Sequence, residues 1–439
     1  MVRLRSKVNM NEKSFVLYNC NLIRVEQNCE ILPCSIYVEN GVIRQIGDNV
    51  TAPLDVAYID LKGQYVCPGL VNLHVHLFGS GQPSKILGGG KLQQNVLKFI
   101  RTKLGQKVLD RLVASSAKTQ LMSGCTTIRT VGDFCYSDVR IRDKVAAGNA
   151  VGPRMLVSGP AITAVGGHGD GTFSVTADDT EELRELVRRN AEHNVDFIKI
   201  CVTGGVIDAK KRGEPGEVKM TFDQTYAVCN EAHKLGMYVA SHTESDAGVQ
   251  IAVSAGVDTI EHGADFTDAD MANMRSKGTK VVATFSPAVP LANLPPRVTK
   301  LTALATYNTQ VLLECMTYGA RRCAIEGVTL GMGTDSSCPF VTQYAMPDEV
   351  AMFARYVGVS NAYALTTATR INAEIAGVDD VTGTLEVGKS ADFIVMQSNP
   401  LENLAALKKL SMVCCRGIIY DKPRFKHKRK VDKQLAKLM

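Results

Sequence analysis

Residues 69–77 read GLVNLHVHL, an apolar run interrupted by two histidines two positions apart. Alternate side chains on a β-strand share a face, so His74 and His76 point the same way. Seven further runs of similar length and texture follow: CTTIRTVG (125–132), PRMLVSGP (153–160), VDFIKICVT (195–203), GMYVASHT (236–243), VDTIEHGA (257–264), TKVVATFSP (279–287) and VTLGMGTDS (328–336). Helical patterns lie between them. TEELRELVRRNAEH (180–193) repeats its apolar residues at the helical period. Thr221 followed by Gln224 has the form of a capping box opening the helix TFDQTYAVCNEAHKLG, and Gly236 ends that helix before the next strand. Eight strand–helix alternations predict an α/β fold, a (β/α)8 TIM barrel, with its active site at the C-terminal ends of the strands.

Outside this stretch both ends of the chain change texture. Residues 15–67, GTLEVGKSADFIVMQS (383–398) and MVCCRGIIYDKP (412–423) are β-branched and broken by turn signals such as Glu39-Asn40-Gly41. The expected organisation is a small β-sandwich from residues 1–67 and 382–421, a barrel over 68–381, and a basic tail at 422–439. A length of 439 residues suits this, because barrels run to ~250 residues as one unit. The net charge of +6 is concentrated in the tail, which holds eight Lys/Arg and one Asp; the remaining 421 residues sum to −1. Without interleaved aromatic residues or a nucleic-acid motif, the tail reads as a solvated end rather than a binding arm, so no nucleic-acid partner is expected. No apolar run approaches the ~18–20 residues of a membrane helix, and the first residues lack an apolar core that would mark a secretory signal. No membrane association is expected. Thirteen scattered cysteines, without a C-x-x-C pair, read as reduced core thiols of a cytoplasmic protein.

Barrel interiors are filled with Val, Ile and Leu, so polar residues inside these strands stand out. His74 and His76 lie on the first strand, His242 ends the fifth and His262 the sixth. Lys199 lies within DFIKICV, Asp335 ends the eighth strand, and Arg129 ends the second. His168 sits in the loop GGHGDG after the third strand, among glycines that allow close approach to a ligand. His193 and His233 close helices at the far end of the barrel and read as structural. One inward histidine is ordinarily a satisfied core residue; four at the ends of three strands are not. A lone buried lysine must neutralise or be paired, and a neutral amine can add carbon dioxide to give a carbamate.

With these residues the chain resembles the metal-dependent amidohydrolase superfamily, through PGLVNLHVHLFG, DFIKICVTGGV, YVASHT, DTIEHGAD, GMGTDSS and the closing segment TGTLEVGKSADFIVM. AVGGHGD and TGGV resemble its prolidase-like dipeptidase and carboxypeptidase branch, related to imidazolonepropionases. The resemblance implies a distorted (β/α)8 barrel with a small β-sandwich. It also implies two Zn2+ (or similar divalent ions) bridged by N6-carboxylated Lys199 and a hydroxide. His74, His76 and Asp335 would bind the buried ion, and His242 and His262 the exposed one. The hydroxide would attack an amide carbonyl, Asp335 would move the proton, and His168 would donate to the carbonyl oxygen. Thr203, Gly204, Gly205 and Arg129 are candidate substrate contacts, with a tight turn and a buried ion pair as their ordinary alternatives. The expected activity is release of a C-terminal amino acid from a small-molecule substrate, a dipeptide or an N-acyl amino acid. A cyclic amidase or lactonase is the alternative of the same class, and a non-catalytic scaffold that of another. A homo-oligomer is expected by resemblance. The pattern departs from proline-selective members in VKMTF, where Met220 replaces an expected tyrosine. SGQPSKILGGGKL (80–92) and SPAVPLANLPPR (286–297) are candidate substrate-facing loops.

Overall fold

The structure is a computed structural model that describes residues 13–83 and 90–439. Residues 84–89 of the first candidate loop lie outside the described residues. The chain divides into two compact units, one of residues 13–71, 120–127 and 360–425, the other taking the rest. Its strands, in chain order, are β1 (Phe15–Arg24), β2 (Glu30–Glu39), β3 (Val42–Gly47), β4 (Ala57–Pro68), β5 (Leu70–Val75), β6 (Cys125–Thr130), β7 (Arg154–Val157), β8 (Ala161–Thr163), β9 (Ser174–Thr176), β10 (Ile198–Cys201), β11 (Val239–Thr243), β12 (Thr259–His262), β13 (Lys280–Ala283), β14 (Leu330–Met332), β15 (Phe393–Met396), β16 (Leu410–Cys415) and β17 (Ile418–Asp421).

In the first unit both ends of the chain meet in one seven-stranded sheet, ordered β17-β16-β15-β4-β1-β2-β3. Asn40 and Gly41 both take positive φ, 52° and 80°, and join β2 to β3 as a two-residue hairpin turn. Phe15, Leu17, Ile36, Val66, Phe393 and Val395 form its core, where Phe15 meets Phe393 edge to face. This is the small β-sandwich built from both termini.

The second unit carries the barrel strands. All eight expected strands are present. They form the sheet β5-β6-β7 and the parallel sheet β14-β13-β12-β11-β10-β8-β9, with a single parallel bridge, Val75 to Ser336, between the first and eighth strands. The distortion has a local cause. Gly159 takes φ 63° and Pro160 lacks a backbone donor, so the third strand breaks. Its first half, β7, stays with β6, and its second half, β8, moves to β10.

The capping box forms as read, with Gln224 N donating to Thr221 Oγ1 at 3.3 Å and Thr221 N donating to Gln224 Oε1 at 2.9 Å. Residues 286–297 are not an open loop. Phe285–Asn293 is a helix whose first amides, Phe285 N and Ser286 N, donate to buried Glu349 at 2.9 and 2.6 Å. The terminal segment is not simply solvated either. Arg429–Leu435 is helical, and Val431 and Leu435 are buried against Leu291, Leu294 and Phe340. Tyr344 Oη donates to Asp432 at 2.8 Å. The thirteen cysteines are all free, and no helix among the described residues is long and apolar enough to cross a membrane.

Candidate metal centre

The parallel register brings the polar residues of separate strands to one level. Cys201 of β10 lies opposite His242 of β11, and Thr243 lies opposite His262 of β12. His262 and Asp335 hold left-handed backbone conformations, φ 71° and 54°. For residues other than glycine these conformations carry strain and cluster at functional sites. All six residues read as metal ligands are buried. His74, His262 and Asp335 offer ligand atoms within 4.8 Å of one another; so do His242, Glu244 and His262. His76 joins the first group through Asp335, with Nε2 3.3 Å from Oδ1.

One ring nitrogen of each histidine has a partner, which for His74, His76 and His242 fixes the tautomer. His74 Nδ1 donates to Glu261 Oε2 at 2.7 Å and His76 Nδ1 to Gly132 O at 2.8 Å. His242 Nε2 donates to Gly204 O at 3.2 Å. Carboxylate and carbonyl oxygens only accept, so these nitrogens carry the protons and the opposite nitrogens are bare. His262 Nδ1 meets Thr284 Oγ1 at 2.7 Å. Burial, assisted by the charge of Lys199, pushes His74 down to about 4, so its ring is neutral near pH 7. Its Nε2 lies 3.6 Å from Asp335 Oδ1. Burial alone would raise Asp335, but His76 and His74 outweigh it and hold the carboxyl well below its usual range. Nε2 of His74 and Nε2 of His76 thus both lie beside Asp335 Oδ1, at 3.6 and 3.3 Å, an arrangement that suits a cation.

Lys199 Nζ is buried and has no hydrogen-bond partner, and burial lowers its pKa from that of a free lysine. Carbamate formation requires an unprotonated amine, and burial favours that form here. The residues present thus fit divalent metal, through the two clusters of ligand atoms and the orphaned amine beside them. Imidazole and carboxylate donors suit zinc.

Arg129 forms the buried ion pair named as its ordinary alternative, with Glu261. It is fully buried, and its donors go to Leu73 O (2.7 Å), Thr259 Oγ1 (3.4 Å) and Glu261 Oε1 (2.6 Å). Glu261 joins Arg129 to His74, and sequence reading missed it. Burial would raise its carboxyl, but Arg129 and the His74 bond hold it far below the usual range. The signal was available as an acid inside an apolar strand, beside a histidine.

His168 stacks on His242 with centroids 4.3 Å apart and rings 8° from parallel. Its Nδ1 bonds Asp208 Oδ2 at 2.5 Å, and that oxygen also accepts from Gly205 N at 3.0 Å. Asp208 was not foreseen; no periodic pattern marks it in its loop. Thr203 is fully buried, accepts from Glu244 N at 3.0 Å and donates to Gly204 O at 2.9 Å. Gly204 N donates to Glu217 O at 2.8 Å. The backbone donors of Gly204 and Gly205 are therefore committed within the protein, and this turn shapes the site instead of offering amides to a substrate. Glu244 is buried and shares a cluster with His242 and His262.

Residues 65–419 match the model of the amidohydrolase family. A putative prolidase from Bifidobacterium longum, known as a crystal structure, is 35% identical over 97% of this chain and 98% of its own, with a TM-score of 0.85. The crystal structure of a Xaa-Pro dipeptidase with bound methionine in its active site is 27% identical over 93% of this chain and 100% of its own, with a TM-score of 0.81. Ochratoxinase of Aspergillus niger is 25% identical over 327 residues; the match spans 67% of this chain and 66%, just under two thirds, of that relative.

Proposed function

Because the chain belongs to the amidohydrolase family, we propose that it is a binuclear metal-dependent hydrolase of amide bonds that releases a C-terminal amino acid from dipeptides or N-acyl amino acids. The observation that carries this reading is the convergence of bare histidine nitrogens and an ionised Asp335 beside the orphaned amine of Lys199. His74, His76 and Asp335 would hold one zinc ion, and His242 and His262 the other. Lys199 would join them once its amine adds carbon dioxide, forming an N–C bond and releasing one proton. Such ions supply Lewis acidity and water acidified to near neutral pH.

The chain's own groups do the rest. Asp335, ionised at neutral pH, accepts a proton from the attacking water and passes it to the leaving nitrogen. In this reading His168, its ring fixed by Asp208, is the hydrogen-bond donor to the substrate's carbonyl oxygen. Arg129 acts only through Glu261, which keeps the proton of His74 on Nδ1. The barrel of residues 68–381 is the catalytic domain in this reading, the sandwich and tail are its attachments, and the assembly is a cytoplasmic homo-oligomer.

The two prolidase-type relatives support a dipeptide substrate. Met220, fully buried where proline-selective members are expected to place a phenol, favours C-terminal residues other than proline. The test is amino-acid release from a panel of dipeptides and N-acyl amino acids, with zinc-loaded and metal-stripped protein side by side. Release that depends on zinc and is graded by the C-terminal residue is expected. Hydrolysis of cyclic amides or lactones alone would replace the peptidase reading.

A further inference from the structure

Glu244 directly follows the end of β11, two residues after His242, and shares a cluster with it and His262. Glu244 is 8% exposed, and its Oε2 has no hydrogen-bond partner. Its backbone and side chain are nevertheless fixed. Glu244 N donates to Thr203 Oγ1 at 3.0 Å, and the Val206 amide donates to the carboxylate. Gly216 packs so closely that a Cβ there would lie 2.5 Å from the Glu244 carbonyl carbon. That contact gives a reason for glycine at the end of GEPG. Glu244 is thus held by two segments, the turn 203–206 and Gly216.

The charged groups that act on Glu244 are mostly of its own sign. Burial, Asp335 and Asp208 push its carboxyl well above the usual range, against the Val206 amide and Lys199. A buried carboxylate without a partner is costly. A carboxyl so placed keeps its proton unless a cation takes the proton's place. The neighbours point to the cation. His242, Glu244 and His262 present ligand atoms within 4.8 Å of one another, a spacing at which they can share one metal ion.

We propose that Glu244 is a direct carboxylate ligand of the exposed metal ion, a third side chain beside His242 and His262. This rests on the two-ion reading given above. The consequence is a harder, more anionic exposed site than two imidazoles and a carbamate provide. It shifts preference toward ions that favour oxygen, such as Mn2+, relative to a site without the carboxylate.

The test is chelator competition on the full-length wild type, Glu244→Gln and Glu244→Asp, with metal per chain measured and visible spectra taken after Co2+ substitution. In the wild type two ions should bind. In Glu244→Gln the first should bind as before, while the second weakens by about ten-fold or more, and only the Co2+ spectrum of the second ion to bind should change. Glu244→Asp, which retracts the charge by one methylene, should fall between the two; it supplies the same comparison if the glutamine variant does not fold. Two ions bound by Glu244→Gln with unchanged affinity and spectrum would overturn the assignment while leaving the two-ion reading intact. Unchanged metal binding with a raised KM confined to substrates bearing a free amino terminus would overturn it in favour of an ammonium anchor. A wild type that binds no metal would overturn both.

Discussion

Arg129→Met removes the cation from a fully buried chain of contacts that runs Arg129–Glu261–His74. Two strong bonds disappear, to Glu261 at 2.6 Å and to Leu73 O at 2.7 Å. Glu261 keeps only the Thr259 hydroxyl at 2.6 Å and His74 at 2.7 Å. Breaking a buried ion pair by deleting one partner costs about 3–5 kcal/mol, because the remaining charge stays desolvated. Removing both charges should cost much less than the two single changes together. The double variant Arg129→Met/Glu261→Gln should therefore recover about 2 kcal/mol or more of the sum. Urea unfolding followed by circular dichroism reads this; the chain contains no tryptophan for fluorescence. A purely structural role would stop there. Because Glu261 holds the tautomer of His74, the single variant should also bind its first metal ion about 10–100-fold more weakly. A loss below about 1 kcal/mol, additive single costs, or undiminished metal affinity would refute the reasoning.

Asp335→Asn should abolish turnover while its far-ultraviolet spectrum and a bound ion remain; retained hydrolysis would remove Asp335 from proton transfer. His74 is held near 4 against an ordinary 6.5, so the unfolded chain takes up that proton first as pH falls. The metal-stripped protein should keep this contribution above about pH 6.5 and lose up to about 3 kcal/mol by pH 4, read as a falling urea midpoint; a flat midpoint would refute it. Val431→Asp places an unpaired charge among Leu291, Leu294 and Phe340 and should cost about 2–4 kcal/mol. Val431→Ala should cost less, and an unchanged melting temperature in the aspartate variant would show that the terminal helix is undocked.

The barrel strands were legible because each is an apolar run between helical patterns, and the site because histidine, lysine and aspartate are foreign to such runs. The rest was written in signals of another kind. Glu261 adjoins His262, and strict alternation would aim it away from the site. The left-handed backbone at His262 breaks that alternation, so neighbouring residues serve one centre. Asp208 lies in a loop, where no period exists to be broken. Gly159-Pro160 marked a turn in plain sight, yet its effect, dividing one strand between two sheets, depends on which neighbours are free to pair. In the terminal segment the charge count hid Val431 and Leu435, whose i, i+4 spacing gives one apolar helix face. Thr203, Gly204 and Gly205 looked available because a sequence does not show where backbone donors are already committed.

The central claim is that Lys199 joins two metal ions at the ends of these strands. Metal per chain and amide hydrolysis measured together, for wild type and Lys199→Ala, test it most directly. The account predicts two ions and activity in the wild type. In the variant it predicts loss of at least one ion together with activity, both restored in part by added short carboxylates or bicarbonate. A Lys199→Ala protein that keeps two ions and hydrolyses at the wild-type rate would contradict it.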